Sequence, residues 1–545
     1  MDRNNHFLNV LSSIDETYLI AMSNKGTYKR AMKDLAVVSN VKMDVEEGAA
    51  QIHLDDGITV TFTGDIRSYS CSCGARTICK HVIMAVLEAK KMYEGEENIK
   101  VDFSALLNVD VRSIVSEKMW EEMMFRETFQ QKFVLEEEGA LIATFPEENI
   151  TVRFLTAESV ADAICTCKAE GICRHKAEAV YWYQKEKGIS HETKQMHPLI
   201  IAPDKLSIFK EMIEQIVHFG LTRLTENTIY EIEQLSVKAR SLKLAKLENL
   251  FRKLGADIGL YRMKHASFQM ASYRQTVSAI YEHILLLERH HLQESPFRSE
   301  YYEVPPLILH AFGASGWQTK SGYVGVTYYF YNREQEKWIT YTQSRPMFYE
   351  GSSTTPEELH ERQVPWGIAG KGYELSRSSV RLKQAKLNVD FQLSSSSQTV
   401  GEVEGKTNVA EWQSLFLTSW EELLKKVKEQ RLEANKQGVF CIEVAEIGEW
   451  KFQKQEQKWI IPLIDKNGKT LQMQMMKRPE NERMIRLVKI YMDSLHIKRM
   501  LVHPYQEGTK LVVTPIILYT EAGEIINTTL SEGGTFYDRV NAPNR

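Results

Sequence analysis

Two clusters of identical spacing constrain this chain more than any other feature: Cys71-x-Cys73-x5-Cys79-x-His81 and Cys165-x-Cys167-x5-Cys173-x-His175. Six of the seven cysteines are used in this way, and the seventh, Cys441, stands alone in an apolar stretch. Clustered Cys and His in a cytosolic type of chain indicate metal ligands before disulfides. Zn2+ in closed sites takes four ligands tetrahedrally, and three thiolates with one imidazole is a standard set. Cys71 and Cys73, one residue apart at the end of a strand, can face one ion. The five-residue loop, freed by Gly74 or Gly171, brings the chain back to the same point. Cys79 and Cys173 fall at helix starts, where the dipole favours a thiolate. The spacing predicts two Zn2+ ions per chain, each with four protein ligands and no open position for water.

The clusters are the ends of a longer internal repeat. Glu46-Glu47-Gly48-Ala49 matches Glu137-Glu138-Gly139-Ala140, and Ile58-Thr59-Val60 matches Ile150-Thr151-Val152. Alternating stretches, QIHLDDGITVTFT and LIATFPEENITVRFL, predict strand pairs turning at Asp-Asp-Gly and Pro-Glu-Glu-Asn. The C-x-C then falls at the end of the second strand, and C-x-H opens a helix. Val82, Ala85, Val86 and Ala89 give that helix one apolar face, as Ala179, Val180 and Tyr183 do in the second copy.

These motifs resemble the SWIM zinc finger, C-x-C-x(n)-C-x-H, at Cys71, Cys73, Cys79 and His81 and again at Cys165, Cys167, Cys173 and His175. The tandem arrangement, and the upstream segment NKGTYKRAMKDL, resemble the SWIM-containing proteins of Gram-positive bacteria. The resemblance covers about the first 190 residues. It implies zinc binding, contacts with DNA or protein, and action beside a SWI2/SNF2-type ATPase; it supplies no activity of its own.

The rest of the chain changes texture twice. From His197 to about Ser295 the pattern is helical: PDKLSIFKEMIEQIVHFG, a run from Thr225 to Leu254 after Gly220, and a third helix through about Gln269–Gln293. Leu244, Leu247, Phe251 and Leu254 form an apolar stripe, with Lys238, Lys246, Arg252 and Lys253 opposite it. Those four are the candidate phosphate contacts, against the blander reading of a solvated helix face. From about Ser299 strands dominate: YVGVTYYFYN and KWITYTQ as a hairpin, SSVRLKQAKLNVDFQLSSSSQTV, VFCIEVAEIGEWKFQ, KWIIPLIDKNGKTLQMQMM and LVVTPIILYT. Helices are expected over Glu411–Glu433 and Glu480–Leu495. Two small barrel-like or sandwich units fit, an oligonucleotide-type barrel among them, with Trp317, Tyr328, Tyr329, Phe330 and Tyr331 as candidate stacking residues. The expected class is therefore α+β and multidomain: two duplicated strand–strand–helix zinc units (1–100 and 101–196), a helical domain (197–298), a β-rich domain (299–435) and an α+β C-terminal domain (436–545).

A chain of 545 residues exceeds one core, which stops growing near ~250–300 residues. Its 43% hydrophobic and 26% charged composition is that of a globular protein, with no apolar run of membrane length. The opening MDRNNHFLNVLSSIDE lacks the order of a secretory signal, so a cytoplasmic location is expected. Catalytic motifs are missing. No P-loop occurs, Gly367-Ile-Ala-Gly370-Lys371-Gly372 has the wrong spacing for one and reads as a turn, His360-Glu361 has no second histidine four residues on, and Gly313-Ala-Ser315-Gly316 is no nucleophile elbow. Cys441 reads as inert core. Net charge is −4, divided as 23 Lys+Arg against 31 Asp+Glu over residues 1–196 and 45 against 41 beyond. That division favours protein contact for the zinc units and places any nucleic-acid surface in the later half. The expectation is a zinc-dependent, non-enzymatic interaction protein, DNA- or protein-binding and accessory to a SWI2/SNF2-type ATPase. The alternative is an enzyme whose site is assembled in the C-terminal β-rich half.

Overall fold

The computed structural model describes residues 11, 14–38, 41–46, 49–63, 65–92, 102–137, 140–191, 201–242, 244–289, 300–319, 322–346, 354–433, 438–494, 496–507 and 510–531. The chain divides into two compact units. One is Met1–Thr193 with Tyr302–Leu307 and Lys383–Ala385; the other is Lys194–Tyr301 with Ile308–Leu382 and Lys386–Arg545. The boundaries expected at 100/101, 196/197, 298/299 and 435/436 all lie outside the described residues.

In the first unit, alternation of apolar and polar residues builds not a two-stranded hairpin but a four-stranded antiparallel meander, twice. Lys42–Glu46, Ala49–His53, Thr59–Thr63 and Asp65–Cys71 form the first; Val134–Glu137, Leu141–Phe145, Ile150–Phe154 and the two-residue Ile164–Cys165 form the second. The expected strand–strand–helix unit is thus the middle of a larger sheet, whose outer strands are too short or too polar to declare themselves. Ile52, Val60 and Phe62 turn inward, and the Lys80–Met92 helix lays the fully buried Val82, Ala85, Val86 and Ala89 into the same core. Ala179, Val180 and Tyr183 of the Arg174–Glu186 helix do likewise in the second core. The two cores are contiguous, since Ala140 and Leu155, which flank strands of the second sheet, pack into the first. Arg153 adds a paired contact, donating to both carboxylate oxygens of Asp15 at 3.0 and 2.6 Å. Asp15 also caps the Glu16–Met22 helix by accepting the Tyr18 N–H.

The second unit holds helices Pro203–Phe219, Glu226–Ser241, Ala245–Arg262 and Met270–Glu288 around one core. Leu244, Leu247, Phe251 and Leu254 are buried as the stripe predicts. The run from Thr225 to Leu254 is two helices, because Leu244 leaves helical geometry (φ −92°, ψ 66°) and the chain reverses there. The third helix ends at Glu288; its expected continuation over 290–293 lies outside the described residues.

Two open sheets follow. In the first, strands run in the order Val400–Lys406, Ser378–Lys383, Leu307–Gln318, Tyr323–Asn332, Lys337–Pro346, Gln392–Leu393, Lys386–Leu387. In the second the order is Phe440–Glu443, Arg499–Glu507, Lys510–Tyr519, Thr470–Met476, Lys458–Ile464, Glu446–Ile447. Among the described residues neither closes edge to edge, so the barrel-like expectation gives way to open sheets. The aromatic residues offered as stacking candidates are packed to differing degrees. Tyr328 and Phe330 are buried, Tyr329 and Tyr331 pack on the cluster around Phe312 and Trp412, and Trp317 lies over Gly325 with its N–H on Thr327. The helix expected over Glu411–Glu433 is a 3-10 turn, Val409–Leu415, and a separate helix, Trp420–Glu433, whose first N–H is taken by the Asp465 carboxylate at 2.9 Å. Glu480–Leu495 is likewise a shorter helix, Glu482–Lys489, followed by a π turn over Ile490–Ser494. Gly367 lies in a turn at φ +70°, after which Lys371 bridges Gln363 and Gly372 opens the Gly372–Leu375 helix. No helix among the described residues is long and apolar enough to cross a membrane.

Candidate metal centres

Each cluster is assembled at the seam between the last strand of a meander and the helix that follows it. Cys71 ends the Asp65–Cys71 strand, and Cys73 sits in the tight turn after it rather than on the strand. That turn is closed by Gly74 N–H on the Cys71 carbonyl at 3.2 Å, and its counterpart by Lys168 N–H on the Cys165 carbonyl at 3.1 Å. Gly74 (φ +71°) and Lys168 (φ +60°) both occupy the left-handed region, which glycine adopts freely and lysine only under constraint. Further backbone contacts repeat: Ser72 N–H meets the Thr59 carbonyl and Thr166 N–H the Thr151 carbonyl, both at 3.0 Å. In return the Ser72 hydroxyl accepts Thr59 N–H and the Thr166 hydroxyl accepts Thr151 N–H, again at 3.0 Å. Cys79 precedes the Lys80–Met92 helix and Cys173 is the N-cap of Arg174–Glu186, which sets each histidine in a first helical turn.

The ligand atoms of each set lie within 4.8 Å of one another. In the first, Sγ of Cys73 is 3.3 Å from that of Cys71 and 3.6 Å from that of Cys79, and His81 Nδ1 is 4.0 and 3.9 Å from Cys71 and Cys79. In the second, Cys165 Sγ is 3.8 Å from His175 Nδ1. Bonds of about 2.3 Å to sulfur in a tetrahedron place sulfurs roughly 3.8 Å apart, so the donor sets fit a Zn2+ with little adjustment. All eight residues that the spacing singles out converge, four and four.

The outer edge of each imidazole was not anticipated. His81 Nε2 is 3.4 Å from Asp56 Oδ2, and His175 Nε2 is 3.5 Å from Glu148 Oε2. Both carboxylates come from the hairpin turn between the second and third strands. They hold the ring so that Nδ1 faces the sulfurs, the arrangement by which a carboxylate fixes the tautomer of a ligating histidine. The signal lay in the acidic turns Asp55-Asp56-Gly57 and Glu147-Glu148-Asn149, which have an ordinary explanation as turn residues.

Crowded sulfurs divide their charge unevenly. The Cys73 thiol is drawn down to about 6, first by the Ala75 backbone N–H and then by His81 and Cys71, while burial pushes Cys71 up to about 12. In the second set Cys173 is drawn down to about 3 by hydrogen bonding with Cys165, which is pushed up in turn. Burial opposes a charge on Glu148, but His175, Arg126 and Arg174 overcome it and hold the carboxyl down at about 2. A bound dication stabilises three thiolates together, and with four protein ligands it has no open position for a reacting water.

The second centre is set in a buried ionic network. Arg126, 1% exposed, donates to Glu148 and, at 2.7 Å, to Glu178. Arg174, between Cys173 and His175, reaches Glu122 at 2.8, Glu148 at 3.0 and Glu303 at 2.9 Å.

The remaining predicted residues are elsewhere. Lys238 lies on Glu226–Ser241, and Lys246, Arg252 and Lys253 on Ala245–Arg262. Arg252 is paired with Glu248 at 2.9 Å, and the charge of Lys246 acts on the buried His283. Cys441 is buried in the Phe440–Glu443 strand, its thiol pushed well up by burial. A cavity of about 350 Å³ in the C-terminal half is lined by Glu446, Asp493, His496 and Lys498, all exposed to water.

Comparison with known proteins bears on the first cluster. Residues 51–90 match the SWIM zinc finger. The chain is 24% identical over 188 residues to the protein YehQ of Escherichia coli (strain K12), a similarity covering 31% of this chain and 28% of that protein. The chain therefore carries one SWIM zinc finger over residues 51–90, and a second Cys3His cluster of like geometry outside that match.

Proposed function

We propose that this chain is a zinc-dependent interaction protein that performs no catalysis itself and acts beside a SWI2/SNF2-type DNA-dependent ATPase, contacting DNA, protein or both. The two Cys3His units are copies of one ancestral finger, each holding one structural Zn2+. The observation that carries this is the repeated four-ligand set with a carboxylate behind each histidine. A metal so enclosed shapes a surface and activates no water. The duplication rests on the two meanders, the matching turn bonds and the common interval of 92 residues between Asp56 and Glu148 and between Ile58 and Ile150.

An enzymatic reading gains little from the C-terminal half, where the groups around the 350 Å³ cavity remain in water and nothing desolvates them. The nucleic-acid contact of this reading uses Lys238, Lys246, Arg252 and Lys253 on the helical bundle; Arg252 and Lys246 are partly engaged within it. The test mixes the zinc-loaded chain with a purified SWI2/SNF2-type ATPase from the same cell and follows DNA-stimulated ATP hydrolysis. A change in rate that disappears with Cys73→Ser and Cys167→Ser supports the reading. No complex and an unaltered rate contradict it.

A further inference from the structure

The acidic balance of residues 1–196 conceals a segregation of charge. Residues 1–100 hold 12 Lys+Arg against 14 Asp+Glu, whereas 101–196 hold 11 against 17. Within the first hundred, the Lys25–Leu35 helix carries Lys25, Lys29, Arg30 and Lys33 against one acid, Asp34. Thr27, Ala31 and Leu35 form its buried face. At 100° per residue Lys25, Lys29 and Lys33 fall on the arc opposite, Arg30 lies to one side of it near Asp34, and all four are exposed. Asp34 lies at the edge of the buried face and takes Lys80 of the finger helix at 2.6 Å, with the charge of the neighbouring Lys33 also acting on it. Among the described residues none of the four has a carboxylate partner, and Arg30 lies near enough to Lys80 for their charges to oppose each other.

Lys25, Lys29 and Lys33 stand at i, i+4 and i+8, where like charges repel and weaken the helix. Among the described residues no carboxylate pairs with Lys25, Lys29 or Lys33, and the charge of Asp34 reaches only Lys33. An anionic partner would offset that repulsion, and successive lysines about 6 Å apart along a helix suit a chain of evenly spaced charges. The arc carries no aromatic ring to stack on a base, so its recognition is of the backbone. We propose that the outer face of the Lys25–Leu35 helix, anchored to the first finger through Asp34 and Lys80, is a docking site for nucleic-acid phosphates, independent of sequence. This rests on the interaction-protein reading and adds a contact separate from that on the helical bundle.

The test measures binding of the full-length, zinc-loaded chain to a short fluorescent DNA duplex by anisotropy over a range of salt. Glutamine replaces lysine in Lys25→Gln/Lys29→Gln/Lys33→Gln, since it is nearly as good a helix former. The proposal expects affinity to fall roughly tenfold or more, and the slope of log K against log salt to shrink by about 2.7, three phosphate contacts at ~0.9 each. Unchanged affinity and slope overturn it. The zinc content and ATPase response of the triple variant report on the broader reading separately, so either can fail alone.

Discussion

Asp56 meets His81 on the edge of the ring that faces away from the sulfurs, with Oδ2 3.4 Å from Nε2, and Glu148 stands in the same relation to His175 at 3.5 Å. A hairpin turn that contributes no metal ligand thus orients the one nitrogen ligand of each set. Removing such a carboxylate leaves four donors in place but frees the ring to choose its tautomer.

Asp56→Ala is therefore expected to weaken Zn2+ binding at the first centre by about 10–100-fold while the fold persists. Competition with a chromophoric chelator measures this. Glu148→Ala should cost more, because Glu148 also accepts from Arg126, Arg174 and Gln131. Stranding a buried guanidinium costs on the order of 3 kcal/mol, so that variant is expected to lose folding stability as well as metal. Equal behaviour of the two variants would contradict the difference in their surroundings.

The helical bundle carries its own pH dependence. His283 is 5% exposed, and burial with the nearby charge of Lys246 holds its pKa down to about 4 from 6.5. The unfolded chain binds that proton more readily, so the stability linked to neutral His283 is complete above pH 6.5 and is lost as pH falls toward 4. The loss amounts to about 3 kcal/mol. The buried Nδ1 has no hydrogen-bond partner, so His283→Leu should remove the dependence without weakening the bundle at pH 7. Denaturation followed by helical circular dichroism at pH 7 and pH 4.5 checks both statements.

Chelation should act locally. The metal centres tie strand ends to helix starts in the first unit alone, and structural zinc contributes directly to folding. Hydrogen exchange is expected to quicken near residues 60–90 and 155–185 on removal of zinc, with the strands at Lys458–Ile464 and Lys510–Tyr519 unaffected. Equal quickening throughout would contradict modular folding.

What the sequence made legible follows from how local each signal is. Eight ligands at fixed spacing are recognisable because a tetrahedral ion demands that spacing. The apolar faces of the helices at Val82 and Leu244 are recognisable because a period of 3.6 survives in one dimension. Asp56 and Glu148 were hidden, since an acidic residue in a turn already has a reason to be there. The Arg499–Glu507 strand was not expected; it pairs as a neighbour of Lys510–Tyr519 with Pro504 opposite Val513. The start of the helix at Trp420 is marked by the distant Asp465, which accepts its N–H, a contact no window of sequence contains. A charge sum over 196 residues carries no position, whereas Lys25, Lys29 and Lys33 share one exposed arc of their helix.

The central claim is that the chain holds two enclosed zinc ions through Cys71, Cys73, Cys79, His81 and Cys165, Cys167, Cys173, His175. Metal analysis of protein purified without chelator tests it most directly. The account predicts two Zn2+ per chain, one in either Cys73→Ser or Cys167→Ser, and two still in Cys441→Ser. Substantially fewer than two in the unaltered chain, or a loss on changing Cys441, would contradict it.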